Sequence, residues 1–191
     1  SMSRENYPIL SLPLYDIIRI GETKYLNITL TNLTNGLSGY NITVTIENTS
    51  IAEIVDIEFP PWAILNDNST LPADSVWLKA VDLQDNIKGS LDEVLLARIA
   101  IRGDSVGETQ IILQANQIDD DNGNPISPII SNSIVQVTIV DTTPPSISFS
   151  PSSRDWDDSS VSVKISMSDD GSGLDAYRYV WGHSTSKPSS G

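Results

Sequence analysis

The chain is predicted to be all-β, a two-sheet sandwich of about nine strands with jelly-roll connections. Two observations predict it. Apolar and polar residues alternate in Tyr25-Leu26-Asn27-Ile28-Thr29-Leu30, in Asn41-Ile42-Thr43-Val44-Thr45-Ile46, in Ala97-Arg98-Ile99-Ala100-Ile101-Arg102 and in Val135-Gln136-Val137-Thr138-Ile139. Alternation with β-branched residues on one side marks half-buried strands. Across its 191 residues the chain is also 39% hydrophobic and 19% charged, a balance that supports a packed core rather than disorder.

The elements follow in order. Leu10 to Ile20 alternates but is broken by Pro13, which suits an edge strand or one crossing between sheets. Gly21-Glu22 turns into a strand from Tyr25 to Thr31 with Leu26, Ile28 and Leu30 inward. Asn35-Gly36 and Ser38-Gly39 mark a loop before Tyr40 to Glu47. Ser50-Ile51-Ala52-Glu53 has the cap-plus-acid pattern of a single helical turn. Ile54 to Phe59 is the next strand, stopped by Pro60-Pro61, and the polar stretch from Asn66 to Asp74 reads as a surface loop. Val76 to Leu83 should bury Val76, Leu78 and Ala80 and turn Trp77 and Lys79 outward. Leu95, Ala97, Ile99 and Ile101 mark an inner face, Thr109 to Ala115 runs next, and Ser133 to Val140 closes the domain.

These elements divide the chain. Residues 1–8, opening on Ser1-Met2-Ser3, read as a disordered tag, and residues 9–140 as the sandwich. Asp141-Thr142-Thr143-Pro144-Pro145 is a short, semi-rigid linker. Residues 146–191 should hold a strand from Val161 to Met167, a polar turn, an aromatic strand from Tyr177 to Trp181 and a disordered tail from Ser184. So few residues suit only part of an immunoglobulin-like sandwich, which needs roughly 100.

Composition narrows the function. Eleven Lys+Arg against 25 Asp+Glu give a net charge of −14, which repels phosphate backbones and argues against nucleic acid. It suits solubility, cation binding or a basic partner. Cysteine is absent, and the only histidine is His183, so zinc sites of the usual ligand types and Ser-His or Cys-His nucleophiles are excluded. A carboxylate pair needs only two acids, but the acids here cluster in turns, as in Asp157-Asp158 and Asp169-Asp170. The expectation is a monomer that is not an enzyme and has no membrane span in this segment.

Three constellations remain. Ile118-Asp119-Asp120-Asp121-Asn122-Gly123-Asn124-Pro125 offers hard oxygens, so Asp119 and Asp121 are candidate calcium ligands. Its EF-hand frame fails, and the competing reading is a tight turn in which Asn122-Gly123 supplies positive φ. Asn-Xaa-Ser/Thr triplets at Asn27, Asn32, Asn41, Asn48 and Asn68 are candidate glycan acceptors, or chance products of an Asn- and Thr-rich chain. Among the tryptophans, Trp62 after two prolines should plug the sandwich, Trp156 and Trp181 should pack in the second module, and Trp77 should face solvent or a partner.

The order of several segments from Ile9 to Val140 resembles a cohesin, the surface-anchored sandwich that binds dockerins. They are Gly21-Glu22-Thr23, where cohesins have Gly-Asp-Thr; Leu37-Ser38-Gly39-Tyr40-Asn41-Ile42-Thr43-Val44; Ile51-Ala52-Glu53-Ile54-Val55-Asp56-Ile57; Leu96-Ala97-Arg98-Ile99-Ala100-Ile101; and the Asn/Asp-rich stretch from Ala115 to Ile126. Ile46-Glu47-Asn48 departs from the usual Tyr-Asp-Pro. Asp170-Gly171-Ser172-Gly173-Leu174 and Tyr177-Arg178-Tyr179-Val180-Trp181 resemble an extracellular immunoglobulin-like repeat. With no cysteine and high acidity, the tandem is similar in architecture to a prokaryotic surface protein, archaeal or bacterial.

The resemblance implies a non-catalytic, extracellular or cell-surface module that docks a dockerin-like protein. The implied face is the flat outer sheet of the third, fifth and sixth strands, with Asn41, Thr43 and Thr45, then Trp77 and Lys79, then Leu96 and Arg98 outward. A glycan at Asn41 would block it. The alternatives are a structural spacer or adhesion sandwich that binds nothing specific, and a carbohydrate-binding module, which would present two or three coplanar exposed aromatics.

Overall fold

A computed structural model describes residues 6–139, 141–150 and 162–169. The chain divides into two compact units, Ser1–Val140 and Asp141–Gly191. In the first, the strands are β1 (Ile9–Ser11), β2 (Tyr15–Arg19), β3 (Thr23–Leu33), β4 (Gly39–Ile46), β5 (Ala52–Glu58), β6 (Leu65–Asn68), β7 (Ser75–Val81), β8 (Leu91–Gly103), β9 (Gly107–Asp119), β10 (Ile129–Ser131) and β11 (Ser133–Thr138). One sheet runs β10-β1-β3-β8-β5 and the other β2-β11-β9-β4-β7-β6. The all-β sandwich is as the alternation predicts, and no helix occurs among the described residues.

The inward positions make one core. Leu26, Ile28 and Leu30 of β3 are at most 1% exposed, and Ile42, Val44, Val76 and Leu78 of the other sheet are fully covered. Burying each such side chain contributes about 1.5–3 kcal/mol relative to leaving it in water. Pro13 sits where the chain leaves one sheet for the other: β1 pairs with β10 in the first and β2 with β11 in the second, both in parallel. Trp62 plugs the sandwich as expected, its Nε1 donating to the Leu95 carbonyl at 2.9 Å and its ring edge-on to Tyr40 with centroids 6.1 Å apart.

Four expectations need correction. The polar stretch after Ile64 is not all loop, because Leu65–Asn68 pairs along β7 as an edge strand. The helical turn near Ile51 is a tight turn, with Ile51 N–H donating to the Asn48 carbonyl at 3.1 Å and β5 starting at Ala52. Tyr7 and Pro8 are not loose tag residues, since their carbonyls accept from Asn32 Nδ2 and Ile129 N, each at 2.9 Å. The inner face of β8 is not read by strict alternation. Ile28 pairs with Ala97 but Thr29 with Leu95, so Leu96 is an extra, bulged residue. The bulge shifts the phase of the strand: Leu96 is fully buried and Leu95 only half-buried.

In the second unit β12 (Ser146–Ser150) pairs antiparallel with β13 (Lys164–Ser168). The latter overlaps the strand expected at Val161 to Met167, while the former was not foreseen. Trp156, the segment from Tyr177 to Trp181, His183 and the tail from Ser184 lie outside the described residues, as does Ser1-Met2-Ser3.

Candidate functional site

The outer face of β9-β4-β7-β6 is built in rows by strand register. Gln117, Asn41, Lys79 and Asp67 are successive partners across it, and the next row is Gln114, Thr43 and Trp77. The third row is Ile112, Thr45 and Ser75. Because Val76, Leu78 and Ala80 point into the core, alternation must send Trp77 and Lys79 outward, and Trp77 is 38% exposed.

Polar bonds fix this surface. A second bulge, at Asn116, lets its Nδ2 donate to Thr43 Oγ1 at 2.8 Å and to Asn41 Oδ1 at 3.2 Å. Thr45 Oγ1 and Ser75 Oγ are 2.9 Å apart. Lys79 Nζ lies 4.9 Å from the centre of the Trp77 ring and 3.7 Å from Asp67 Oδ2. The cation therefore covers one ring face, a contact of about 0.5–1 kcal/mol at an exposed site. At the Gly39 end of β4 the face dips into a groove of about 740 Å³, lined among others by Asn41, Leu65, Asp67, Lys79, Val81 and Asp119. Gly39 keeps its floor low: a Cβ there would stand 2.9 Å from the Ala80 carbonyl oxygen.

The structure brings together Asn41, Thr43, Thr45, Trp77 and Lys79, but not Leu96 or Arg98. Both belong to β8, in the opposite sheet. Leu96 is in the core, where its carbonyl accepts from the buried Tyr40 hydroxyl at 2.7 Å. Arg98 is exposed on the other outer surface, 2.8 Å from Glu58 and stacked over Tyr25. Tyr25 in turn donates to Asp56 at 2.6 Å, and that bond, helped by desolvation, pushes its pKa up to about 12. The error has two causes, the bulge that buries Leu96 and a missed strand that puts both residues in the wrong sheet. Without β6, the strand count is one short, so β8 takes the place that β7 holds. The residues missed are Gln114 and Asn116, legible as outward polar positions of β9; Gln117, turned outward only by the bulge at Asn116; and Leu65 and Asp67, for which the sequence carries no alternation.

The acidic loop is a turn organised by Asp120. Its Oδ1 accepts from Asn122 N at 2.9 Å and Asn124 N at 2.8 Å, and the backbone bonds from Asn124 foremost hold its carboxyl below the usual range. Gly123 has φ +76°, whereas Asn122, expected to share that role, is not in the left-handed region. Asp119 accepts from Gln117 at 2.6 Å. Asp121 lies against Gly36, and desolvation foremost, then the charges of Asp85, Asp82 and Asp120, raise its pKa. Among the described residues no group of three or more His, Cys, Asp or Glu side chains is arranged to hold a metal. Of the sequon residues, Asn27 and Asn32 lie on β3, Asn41 on β4, Asn48 in the β4–β5 turn and Asn68 on β6.

No family model matches the chain, and no curated protein matches it. Solved cohesins share its fold. The seventh ScaB type I cohesin of Pseudobacteroides cellulosolvens is 10% identical, covering 72% of this chain and 96% of its own, with a TM-score of 0.60. A type I cohesin–dockerin complex from Clostridium thermocellum gives 10% identity, 70% and 100% coverage and a TM-score of 0.58. A non-cellulosomal cohesin from the archaeon Archaeoglobus fulgidus gives 12% identity, 69% and 91% coverage and a TM-score of 0.55. The first unit is thus a cohesin-like domain in fold.

Proposed function

We propose that the first unit is a non-catalytic protein-docking module, displayed outside the cell, that takes a dockerin-type partner on the outer face of β9-β4-β7-β6. The observation that carries this is Trp77, a half-exposed aromatic on β7 beside the hydrogen-bonded polar rows of β4 and β9. An exposed tryptophan ringed by Thr, Asn, Gln and one Lys has the make-up of an interface anchor with a polar surround. The cohesin fold supports the reading, since cohesins have been solved with dockerins bound.

A sugar platform is less well supported. The other exposed aromatic of this sheet, Tyr15, is on β2, separated from β7 by β11, β9 and β4, which is about 19 Å at the usual strand spacing. The test is affinity capture of secreted proteins from the source organism with wild-type bait and with Trp77→Ala bait. Retention of one dockerin-type protein by the first and not the second supports the proposal, and equal retention by both contradicts the assigned face.

A further inference from the structure

The five acceptor triplets are alike in sequence and unlike in structure. Asn32 and Asn68 have their Nδ2 groups engaged, with the Tyr7 carbonyl at 2.9 Å and the Ser69 carbonyl at 2.8 Å. Asn27 and Asn41 lie inside paired strands, and the hydroxyls of their triplets are bonded elsewhere, Thr29 to Ser11 at 3.0 Å and Thr43 to Asn116 at 2.8 Å. Asn48-Thr49-Ser50 differs on every count. All three residues are exposed in the turn between β4 and β5. Asn48 Oδ1 accepts from Ser50 N at 3.3 Å and Ser50 Oγ at 2.8 Å, which folds the triplet into an Asx turn and leaves Nδ2 without a hydrogen-bond partner among the described residues. Its backbone is fixed from below, where Asn48 N–H donates to the buried Thr109 hydroxyl at 2.9 Å.

We propose that Asn48 is the site at which the folded domain accepts an N-linked glycan. Such acceptors belong on surface loops, where the amide can enter an enzyme's active site without breaking a sheet. In the transfer, Asn48 Nδ2 attacks the anomeric carbon of a polyprenyl-phosphate-linked oligosaccharide. The N–C bond forms, the anomeric C–O bond to phosphate breaks, the amide gives up one proton to a base of the oligosaccharyltransferase, and the lipid phosphate departs. The site also fits the docking face: β4 runs from the groove at Gly39 to Ile46, so Asn48 lies beyond its far end, ~23 Å from Gly39. A glycan there starts outside the rows, ~16 Å along the chain from Thr43, the partner of Trp77, whereas one at Asn41 would start within them.

The test incubates the folded full chain with a polyprenyl-linked oligosaccharide and an oligosaccharyltransferase chosen because it modifies the isolated peptide of residues 44–53. Glycopeptide mass spectrometry should find the sugar at Asn48, with at least tenfold lower occupancy at Asn27, Asn32, Asn41 and Asn68. Ser50→Ala should abolish the modification and Ser50→Thr retain it, with both variants melting as wild type. An unmodified Asn48 in the folded chain, or occupancy at Asn41 equal to that at Asn48, overturns the proposal.

Discussion

Two neighbouring carboxylates of the β9–β10 loop respond to pH in opposite senses. Asp120 is bonded by backbone N–H groups, so its folded pKa lies below its unfolded value. Its stabilising contribution is full above the unfolded carboxylate range and is lost as pH falls through the folded pKa. Asp120→Ala should therefore lower the melting temperature at neutral pH, and the deficit should shrink in strong acid; a deficit independent of pH would contradict the assignment. Asp121 is raised, chiefly by desolvation, so its ionised form opposes folding and stability is lost as pH rises through its folded pKa. Asp121→Asn should raise the melting temperature at neutral pH. Calcium at Asp119 and Asp121 is the competing proposal, with a distinct result: wild type would melt higher with increasing calcium, and Asp121→Asn would abolish that shift. Equal melting of wild type in calcium and in chelator leaves the turn alone.

At the scale of elements, what was legible depended on whether side chains met the core. Strands β3, β4, β7 and β11 announce themselves because buried apolar residues alternate through their central parts, as at Leu26, Ile28 and Leu30 or Val135 and Val137. Strand β6 does not, since its four residues are held by backbone pairing to β7 and none is buried. The bulges at Leu96 and Asn116 were equally hidden, because an extra residue leaves composition unchanged and alters only parity. That single phase shift decides the role of Leu96. If it lay on the surface, Leu96→Ala would be nearly neutral. Buried under Tyr40 as it is, truncation should cost about 2–5 kcal/mol in denaturant unfolding. A cost within about 0.5 kcal/mol, as for surface substitutions, would contradict the bulge.

For the whole molecule, the two outer surfaces of the sandwich differ in chemistry. Across β3, β8 and β5, Arg98 pairs with Glu58, Arg102 with Glu53 and Asp104, and Tyr25 with Asp56. Across β9, β4, β7 and β6 lie mostly neutral amides and hydroxyls around Trp77, with Lys79 and Asp67 at one side. A net charge of −14 favours a partner with a basic patch and makes association slow as salt rises, while Lys79→Glu should chiefly change the association rate. The assignment of the face, rather than the fold, is the claim at stake. It is tested most directly by calorimetric titration of the captured dockerin-type partner into wild type, Trp77→Ala and Arg98→Ala. Loss of an interface anchor of about 2 kcal/mol predicts roughly thirtyfold weaker binding for Trp77→Ala. Arg98→Ala, on the opposite sheet, should bind as wild type, and all three should melt alike. Unchanged affinity for Trp77→Ala, or a loss confined to Arg98→Ala, would contradict the account.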